Sequence, residues 1–256
     1  MYPVLFRIGQ FEITTFGVMV ALAALVGLWI FRRELARSGL PDAAADAAIA
    51  GLLGGLLGAK LLYALEHTGE EPFFSLFFSR AGMSWFGGFL GGVGTGFGLI
   101  AYKRWPVLGV LAAATPALAV GHGIGRIGCF LVGDDYGKVT DLPWGIAFPE
   151  GLPPTPLRVH PTQLYEMAYL FVVGWLLVGW RKKGVSDRHV VGRYLALAGA
   201  GRFLIEFVRI NTRVALGLTV AQFVSLALVA AGLALVVSGP ARAARAPRAS
   251  RTSRRK

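Results

Sequence analysis

The chain has 256 residues, of which 55% are hydrophobic and only 16% are charged. Soluble domains carry about 25% charged residues, so this chain has too little polar surface to face water on all sides. Its hydrophobic content excludes a disordered chain, and its single cysteine, Cys129, excludes a disulfide scaffold. The composition therefore predicts an all-α, polytopic membrane protein, in which many of the 35 glycines let helices pack closely.

Hydrophobic runs long enough to cross a membrane recur along the chain. A spanning helix needs about 20 mainly apolar residues. Seven segments reach this length or nearly do so: 13–31, 43–65, 82–102, 106–121, 160–180, 190–208 and 214–237. The segment 72–78 (PFFSLFF) is too short to span and is predicted to lie at the membrane interface. We expect about seven transmembrane helices, of which the fourth is short and the sixth carries charges.

The distribution of Lys and Arg predicts how these spans are oriented. The segments after spans one, three and five and the C-terminal tail carry 17 Lys and Arg residues, against about eight on the opposite side. Because positive charge gathers on the cytoplasmic side, we expect the N-terminus outside and the C-terminus in the cytoplasm. Residues 1–240 then form the transmembrane domain, and 241–256 a disordered basic tail attracted to anionic membrane lipids. The tail has no interleaved aromatic residues, so nucleic acid is not an expected partner.

The longest connection between predicted spans is residues 121–160, which we expect to be an extracytoplasmic loop. It begins with GHGIGRIGCFLVGDDYG. Glycine lets the backbone approach a ligand closely, and arginine offers a planar set of donors that suits phosphate, so Arg126 fits a clamp for a lipid phosphate. The same pattern fits an Arg126 that reaches to the membrane interface beside glycine turns. Spacing alone leaves both interpretations open.

Charged residues also occur inside the fifth and sixth spans. Gln163 and Glu166 lie three residues apart on one face of span five. Arg202, Glu206 and Arg209 follow at i, i+4 and i+7 on span six, which places them on one helical stripe. Because ionisable groups are expelled from lipid, these side chains are expected to face partners or a polar cavity inside the bundle. They are ligand-binding residues or structural ion pairs, and both roles can coexist.

Three strings occur in order along the chain: GRIGCFLVGDDYG at 125–137, HPTQLYE at 160–166 and GRFLIEFVR at 201–209. Together with the spans they resemble the prolipoprotein diacylglyceryl transferase family. The resemblance implies an enzyme of the bacterial cytoplasmic (inner) membrane. Such an enzyme moves the diacylglyceryl group of phosphatidylglycerol onto the thiol of the lipobox cysteine in a prolipoprotein signal peptide and releases glycerol phosphate. Neither a metal nor an organic cofactor is implied.

The resemblance also implies roles for particular residues. Arg126 and Arg202 would bind the phosphate and stabilise the negative charge that develops on it, as catalytic residues. Glu206 and Arg209 would orient or gate them. The substrate-binding candidates on the family's strings are Arg126, Gly128, Asp134, Gly137, Gln163, Glu166, Glu206 and Arg209. Asp134 stands where a glutamate is more usual.

The chain departs from the family pattern at three positions. Phe86 stands where many members have a histidine that is proposed as the base, Phe16 where a tyrosine is common, and Cys129 where asparagine is usual. His122, four residues before Arg126, is a substitute candidate for the catalytic base, or else an interfacial polar residue in a glycine turn. Cys129 lies in an apolar run, where a thiol tends to stay protonated, so we do not expect it to be a nucleophile.

Two alternative functions fit parts of the sequence. The departures at the three family positions also suit a non-catalytic, phospholipid-binding paralogue of the family. A metal-dependent phospholipid enzyme, such as a CDP-alcohol phosphotransferase, needs a cluster of aspartates, and the chain offers only the adjacent pair Asp134 and Asp135. Metal binding is therefore not expected.

Overall fold

A computed structural model describes residues 2–9, 11–69, 71–79 and 82–239, so the predicted tail 241–256 lies outside the described residues. The described part is mainly helical, which confirms the prediction of a helical membrane protein. Its helices are α1 Thr15–Arg37, α2 Asp46–Glu66, α3 Phe73–Phe78, α4 Trp85–Tyr102, α5 Val107–Val132, α6 Thr162–Lys182, α7 Asp187–Ile205 and α8 Val220–Val237. Short 3-10 turns at Asp42–Ala45 and Glu206–Val208 precede α2 and follow α7.

The described residues also form three small antiparallel hairpins, which the sequence did not predict; one precedes α1 and two lie between helices. They pair β1 Val4–Ile8 with β2 Phe11–Thr14, β3 Ile146–Phe148 with β4 Thr155–Val159, and β5 Arg213–Ala215 with β6 Leu218–Thr219. The last hairpin takes up the start of predicted span seven, so the prediction that this span begins at residue 214 was wrong. Thr219 instead caps α8, where its side chain accepts from the Gln222 amide while the Gln222 side chain accepts from the Thr219 amide.

Within the described residues, five helical segments are long and apolar enough to cross a membrane: Thr15–Arg37, Asp42–Glu66, Val107–Val132, Thr162–Lys182 and Val220–Val237. The apolar helix at Phe86–Tyr102 is shorter. Helix α7 begins with Asp187 and Arg188 and carries Arg202 in its last turn, as the charged sixth span predicted. The chain is therefore a multi-pass membrane protein, and the number of spans beyond these five stays a prediction.

The sequence prediction was most in error at the end of helix α5. It runs to Val132, where Gly133 at φ 80° ends it in the left-handed conformation. Residues 121–132, expected to be loop, are therefore its last three turns. Glycine is tolerated there because the helix is packed: a Cβ on Gly123 would lie 2.7 Å from the Phe171 ring, and one on Gly128 would lie 3.1 Å from the Cβ of Met19.

The helices pack in pairs around α5. Helix α1 lies on one side of α5 and α6 on the other, while α7 packs on α8 and α2 on α4. The α2–α4 contact is backbone against backbone, since a Cβ on Gly55 would lie 3.2 Å from the Gly88 carbonyl oxygen. A buried apolar cluster that includes Phe31, Leu35 and Val110 joins this pair to α1 and α5 where α1 ends and α5 begins. A cavity between α1, α2, α4 and α5 extends from this cluster, at Phe31 and Val110, to Gly125 on α5.

The connection between α5 and α6 is folded rather than extended. Tyr136 stacks on Phe148 with ring centroids 5.4 Å apart, and both are buried with Val159. Gly137 donates its amide to the His160 carbonyl at 2.9 Å and pairs with Arg209 in an isolated bridge. A Cβ on Gly137 would lie 2.9 Å from the His160 Cβ, so only glycine fits there without displacement. These contacts hold together the ends of α5, α6 and α7, where the candidate site lies.

Candidate active site

Arg126 and Arg202, which lie on different helices, meet on one carboxylate. Glu166 on α6 pairs through Oε2 with Nε of Arg126 on α5. Its Oε1 lies 3.4 Å from Nη1 of Arg202 on α7. Three helices thus bring together two guanidinium groups that are far apart in sequence, as the clamp hypothesis requires.

The ion pairs continue around a closed ring. Arg202 Nη1 lies 2.7 Å from Glu206 Oε2, which in turn lies 3.7 Å from Arg209 Nε. Asp135 closes the circuit, with Oδ1 2.6 Å from Arg209 Nη2 and Oδ2 2.6 Å from Arg126 Nη1. We call this set the arginine ring; its members, in order, are Arg126, Glu166, Arg202, Glu206, Arg209 and Asp135. Three guanidinium groups alternate with three carboxylates, so their formal charges cancel.

Neutral hydrogen-bonding groups fix the back of the ring. Glu206 Oε1 accepts from Asn211 Nδ2 at 2.7 Å and from the Thr219 hydroxyl at 2.8 Å. Thr162 donates its hydroxyl to the Asp135 carbonyl at 2.7 Å, and Gln163 donates its side-chain amide to the Asp134 carbonyl. Satisfied partners of this kind make a buried charge network rigid.

The six members of the ring differ in exposure. The side chains of Glu166, Glu206 and Arg209 are 5%, 0% and 8% exposed. Those of Arg126, Arg202 and Asp135 are 13%, 27% and 41% exposed. Of the three arginines, Arg126 and Arg202 therefore remain more accessible than Arg209.

The two aspartates after α5 differ in their electrostatics. Partial burial alone would raise the pKa of Asp135, but the positive charges and hydrogen bonds of Arg209 and Arg126 outweigh it and lower that pKa below its ordinary value. Partial burial raises the pKa of Asp134, and the negative charge of Asp135 adds to this effect. Asp135 is thus held as a carboxylate, whereas favourable interactions offset the burial of Asp134 only in part.

An apolar cavity of about 580 Å³ extends to Gly125, the residue before Arg126. It lies between α1, α2, α4 and α5 and is lined mainly by small and aliphatic side chains, including Ala24, Leu28 and Val93. Two residues of α5 before Arg126 line the cavity: His122, one helical turn before it, and Gly125, the preceding residue. The cavity lies within the size range of ligand pockets, about 300–1,000 Å³, and it places an apolar volume next to a cationic group.

The sequence-predicted site residues divide into three groups. Arg126, Glu166, Arg202, Glu206 and Arg209 all belong to the ring. The stripe of Arg202, Glu206 and Arg209 survives even though α7 ends at Ile205 and a 3-10 turn follows.

The second group supports the ring through backbone contacts or packing. Gln163 orients the backbone at Asp134, and Gly137 allows the close approach of the connection to α6 and α7. Gly128 packs against α1 near Phe16 and Met19, away from the ring.

The third group concerns the aspartates and His122. Asp134, which was expected in the substrate-binding set, contributes its backbone carbonyl as an acceptor for Gln163, and the ring member is its neighbour Asp135, which the sequence analysis did not select. The adjacent acidic pair was the available signal. Asp135 has φ 60°, and this left-handed backbone turns its carboxylate towards both arginines. His122 lies on the cavity wall, on a helix rather than in the glycine turn considered above.

Cys129 lies within the same region without joining the ring. Its Sγ is 3.7 Å from Arg126 Nη1. The Sγ of Cys129 and one carboxylate oxygen each of Asp134 and Asp135 lie within 4.8 Å of one another, close enough to hold a cation. Both carboxylate oxygens of Asp135 already contact guanidinium groups, and that positive charge opposes a metal ion there.

These features define a polytopic helical membrane protein with an arginine site beside an apolar cavity. Residues 3–238 match the family model described as prolipoprotein diacylglyceryl transferase, and the chain belongs to that family. The resemblance noted in the sequence is thereby confirmed.

Relatives from three bacteria cover most of the chain, and each is named phosphatidylglycerol–prolipoprotein diacylglyceryl transferase. The protein from Clostridium tetani is 32% identical over 91% of this chain and 96% of its own length. The protein from Geobacter sulfurreducens is 36% identical over 81% of this chain and 82% of its own length. The protein from Vibrio cholerae is 32% identical over 92% of this chain and 90% of its own length.

Proposed function

We propose that this protein is a transferase that moves the diacylglyceryl group of phosphatidylglycerol onto the lipobox cysteine of a prolipoprotein signal peptide and releases glycerol phosphate. The observation that carries the proposal is the position of Arg126 and Arg202, which share Glu166 and remain accessible beside an apolar cavity. The names of the relatives point to the same donor and acceptor.

The site suits the two parts of such a lipid. Guanidinium groups form strong, directional hydrogen bonds to phosphate oxygens, so the headgroup phosphate would lie against Arg126 and Arg202. The acyl chains would occupy the cavity between α1, α2, α4 and α5, where their burial is favourable. Because the arginines are already fixed by Glu166 and Glu206, little ordering remains to be done when the lipid binds.

The chemical step uses the same contacts. The cysteine sulfur attacks the glycerol carbon that bears the phosphate ester, so that the new C–S bond forms as the C–O bond breaks and the electron pair leaves on the phosphate. Arg126 and Arg202 stabilise the charge that grows on the leaving group, and such preorganised contacts are typically the largest contribution to catalysis. The thiol must give up its proton, since thiolate is the nucleophile.

We assign His122 as the base that accepts the proton of the thiol. Its ring lines the cavity one helical turn before Arg126, where the acceptor thiol would meet the glycerol carbon. Histidine is the most frequent general base in enzymes because its ordinary pKa lies near neutral pH. Phe86, which stands where many relatives are expected to carry a histidine, has no group that could take the proton.

The location follows from the charge distribution. The basic segments after spans one, three and five would lie in the bacterial cytoplasm and the arginine ring at the extracytoplasmic side of the inner membrane. This orientation puts the ring on the side to which a translocated signal peptide presents its cysteine.

Complementation tests the proposal directly. Cells depleted of their own diacylglyceryl transferase should be rescued by the wild-type protein and by Arg33→Ala, which removes an exposed arginine far from the ring. Arg126→Ala and Arg202→Ala should fail at equal membrane levels. Rescue by both ring variants would contradict the phosphate contact, and failure of the wild type would contradict the activity.

A lipid-binding paralogue without transferase activity remains the second candidate, and the loss of the family's histidine at Phe86 favours it. It would bind phosphatidylglycerol through the same ring but would leave the lipobox cysteine unmodified. Wild-type turnover in vesicles that contain phosphatidylglycerol and a lipobox peptide distinguishes the two candidates.

A further inference from the structure

Asp135 differs from the other two acids of the arginine ring. Glu166 lies on α6 and Glu206 in the 3-10 turn after α7, and their side chains are 5% and 0% exposed. Asp135 lies in the connection after α5, and its side chain is 41% exposed. Of the three carboxylates, it is the one that can turn into solvent without crossing a packed core.

The carboxylate of Asp135 occupies part of the site proposed for the phosphate, because it contacts Arg126. Its two oxygens each contact a different arginine, Arg126 and Arg209, at 2.6 Å. A phosphodiester likewise presents two anionic oxygens that two guanidinium groups can share. Meanwhile the Asp135 carbonyl accepts from the Thr162 hydroxyl at 2.7 Å and from Arg209 Nη1 at 3.2 Å. The backbone is therefore anchored while the side chain has room to rotate.

Charge balance makes displacement necessary. The ring without a ligand is formally neutral, so an entering phosphate anion meets no net attraction while Asp135 stays on Arg126. Asp135 and the phosphate would meet at Arg126, and like charges at contact distance repel strongly in a partly buried site. Glu206 is held by Asn211 and Thr219 and cannot yield.

We infer, resting on the proposed function, that Asp135 is the displaceable counter-ion of the phosphate site. It neutralises Arg126 and Arg209 in the unliganded enzyme and turns outward when the phosphate of phosphatidylglycerol binds. When the bond to the diacylglyceryl group has broken, the glycerol phosphate carries an additional negative charge and would bind the arginines more tightly than the lipid did. The return of Asp135 to its arginines then competes with the product and favours its release.

The change Asp135→Asn tests this role, because it keeps the shape of the side chain and removes its charge. Asp141→Asn is the matched control, since it removes one exposed carboxylate from the same connection. In vesicles of phosphatidylcholine with increasing phosphatidylglycerol, Asp135→Asn should lower the KM for phosphatidylglycerol at least about threefold, the size expected of a half-exposed ion pair. Inhibition by glycerol phosphate should tighten by a similar factor, and Asp141→Asn should change neither.

The KM, the Tm and the binding of glycerol phosphate can each contradict the inference. A KM that is unchanged or raised in a folded Asp135→Asn protein overturns it. Loss of folding in both Asp135→Asn and Asp135→Ser, measured as a lowered Tm in detergent, also overturns it, because displacement must leave the fold intact. Calorimetric binding of glycerol phosphate to wild type and Asp135→Asn needs no turnover. An inactive wild type therefore contradicts the proposed function, while equal binding by the two proteins contradicts the role of Asp135.

Discussion

Arg126 and Arg202 contact opposite oxygens of one carboxylate, that of Glu166, although they belong to α5 and α7. This arrangement holds two positive charges close together without a ligand. A buried carboxylate between them offsets their mutual repulsion and sets the spacing at which a phosphate meets both. Glu166 is thus the residue on which the geometry of the site depends most directly.

Replacing Glu166 by Gln should therefore damage both stability and activity. A neutral amide leaves two partly buried guanidinium groups without their shared counter-ion, and breaking a buried pair in this way costs about 3 kcal/mol. We expect a lower Tm in detergent and at least about a tenfold loss of kcat/KM, since misplaced catalytic groups lose rate steeply. Glu150→Gln, which changes an exposed glutamate in the connection between α5 and α6, is the control and should match wild type. Normal turnover by Glu166→Gln would show that the arginines need no common anchor.

His122→Asn should separate substrate binding from chemistry. If His122 takes the thiol proton, kcat should fall by about a hundredfold, the usual contribution of a general base. The affinity for phosphatidylglycerol should stay near wild type because the ring is untouched. His67→Asn, at the end of α2 and outside the residues that line the cavity, is the control. Retention of full kcat by His122→Asn would move the base to another group or to the peptide itself.

The ring was largely foreseeable from sequence, and the reason is helical periodicity. Arg202, Glu206 and Arg209 were placed on one stripe by their spacing alone, and the structure confirms that they share one side even where α7 gives way to a 3-10 turn. Ionisable groups on apolar helices need partners, so Glu166 was expected to face partners or a polar cavity inside the bundle, and in the structure it pairs with two arginines. Which arginine it meets depends on how helices pack, and spacing within one helix carries no such information.

The errors arose where backbone conformation outweighed composition. Glycines between 121 and 132 suggested a loop because glycine costs about 1 kcal/mol in a helix in water. In α5, Gly123 and Gly128 lie against Phe171 and Met19, where an added Cβ would be crowded, and a helix satisfies its backbone hydrogen bonds without water. The choice between Asp134 and Asp135 likewise depends on the left-handed φ of 60° at Asp135, which sequence periodicity does not encode.

Cys129→Ser should leave transferase activity within about twofold of wild type. The thiol is near Arg126 but makes none of the ion pairs of the ring, and serine is close to it in size. Complementation together with turnover in vesicles measures the effect, and equal membrane levels of the two proteins must be verified by immunoblot. A folded Cys129→Ser protein with no activity would mean that this thiol takes part in the reaction, contrary to the attack by the lipobox cysteine proposed above.

Gly137→Ala should weaken the site from a distance. An added Cβ would lie 2.5 Å from the Val208 carbonyl oxygen and 2.9 Å from the His160 Cβ, so the connection must move away from α6 and α7. Overpacking of this kind costs about 1–3 kcal/mol, and the shift would move Asp135 away from Arg209 and weaken their ion pair. Gly179→Ala is the matched control, because a Cβ there meets nothing within 4 Å. We expect Gly137→Ala to lower both Tm and kcat/KM while Gly179→Ala lowers neither. Wild-type values for both variants would show that the connection can move without disturbing the arginines.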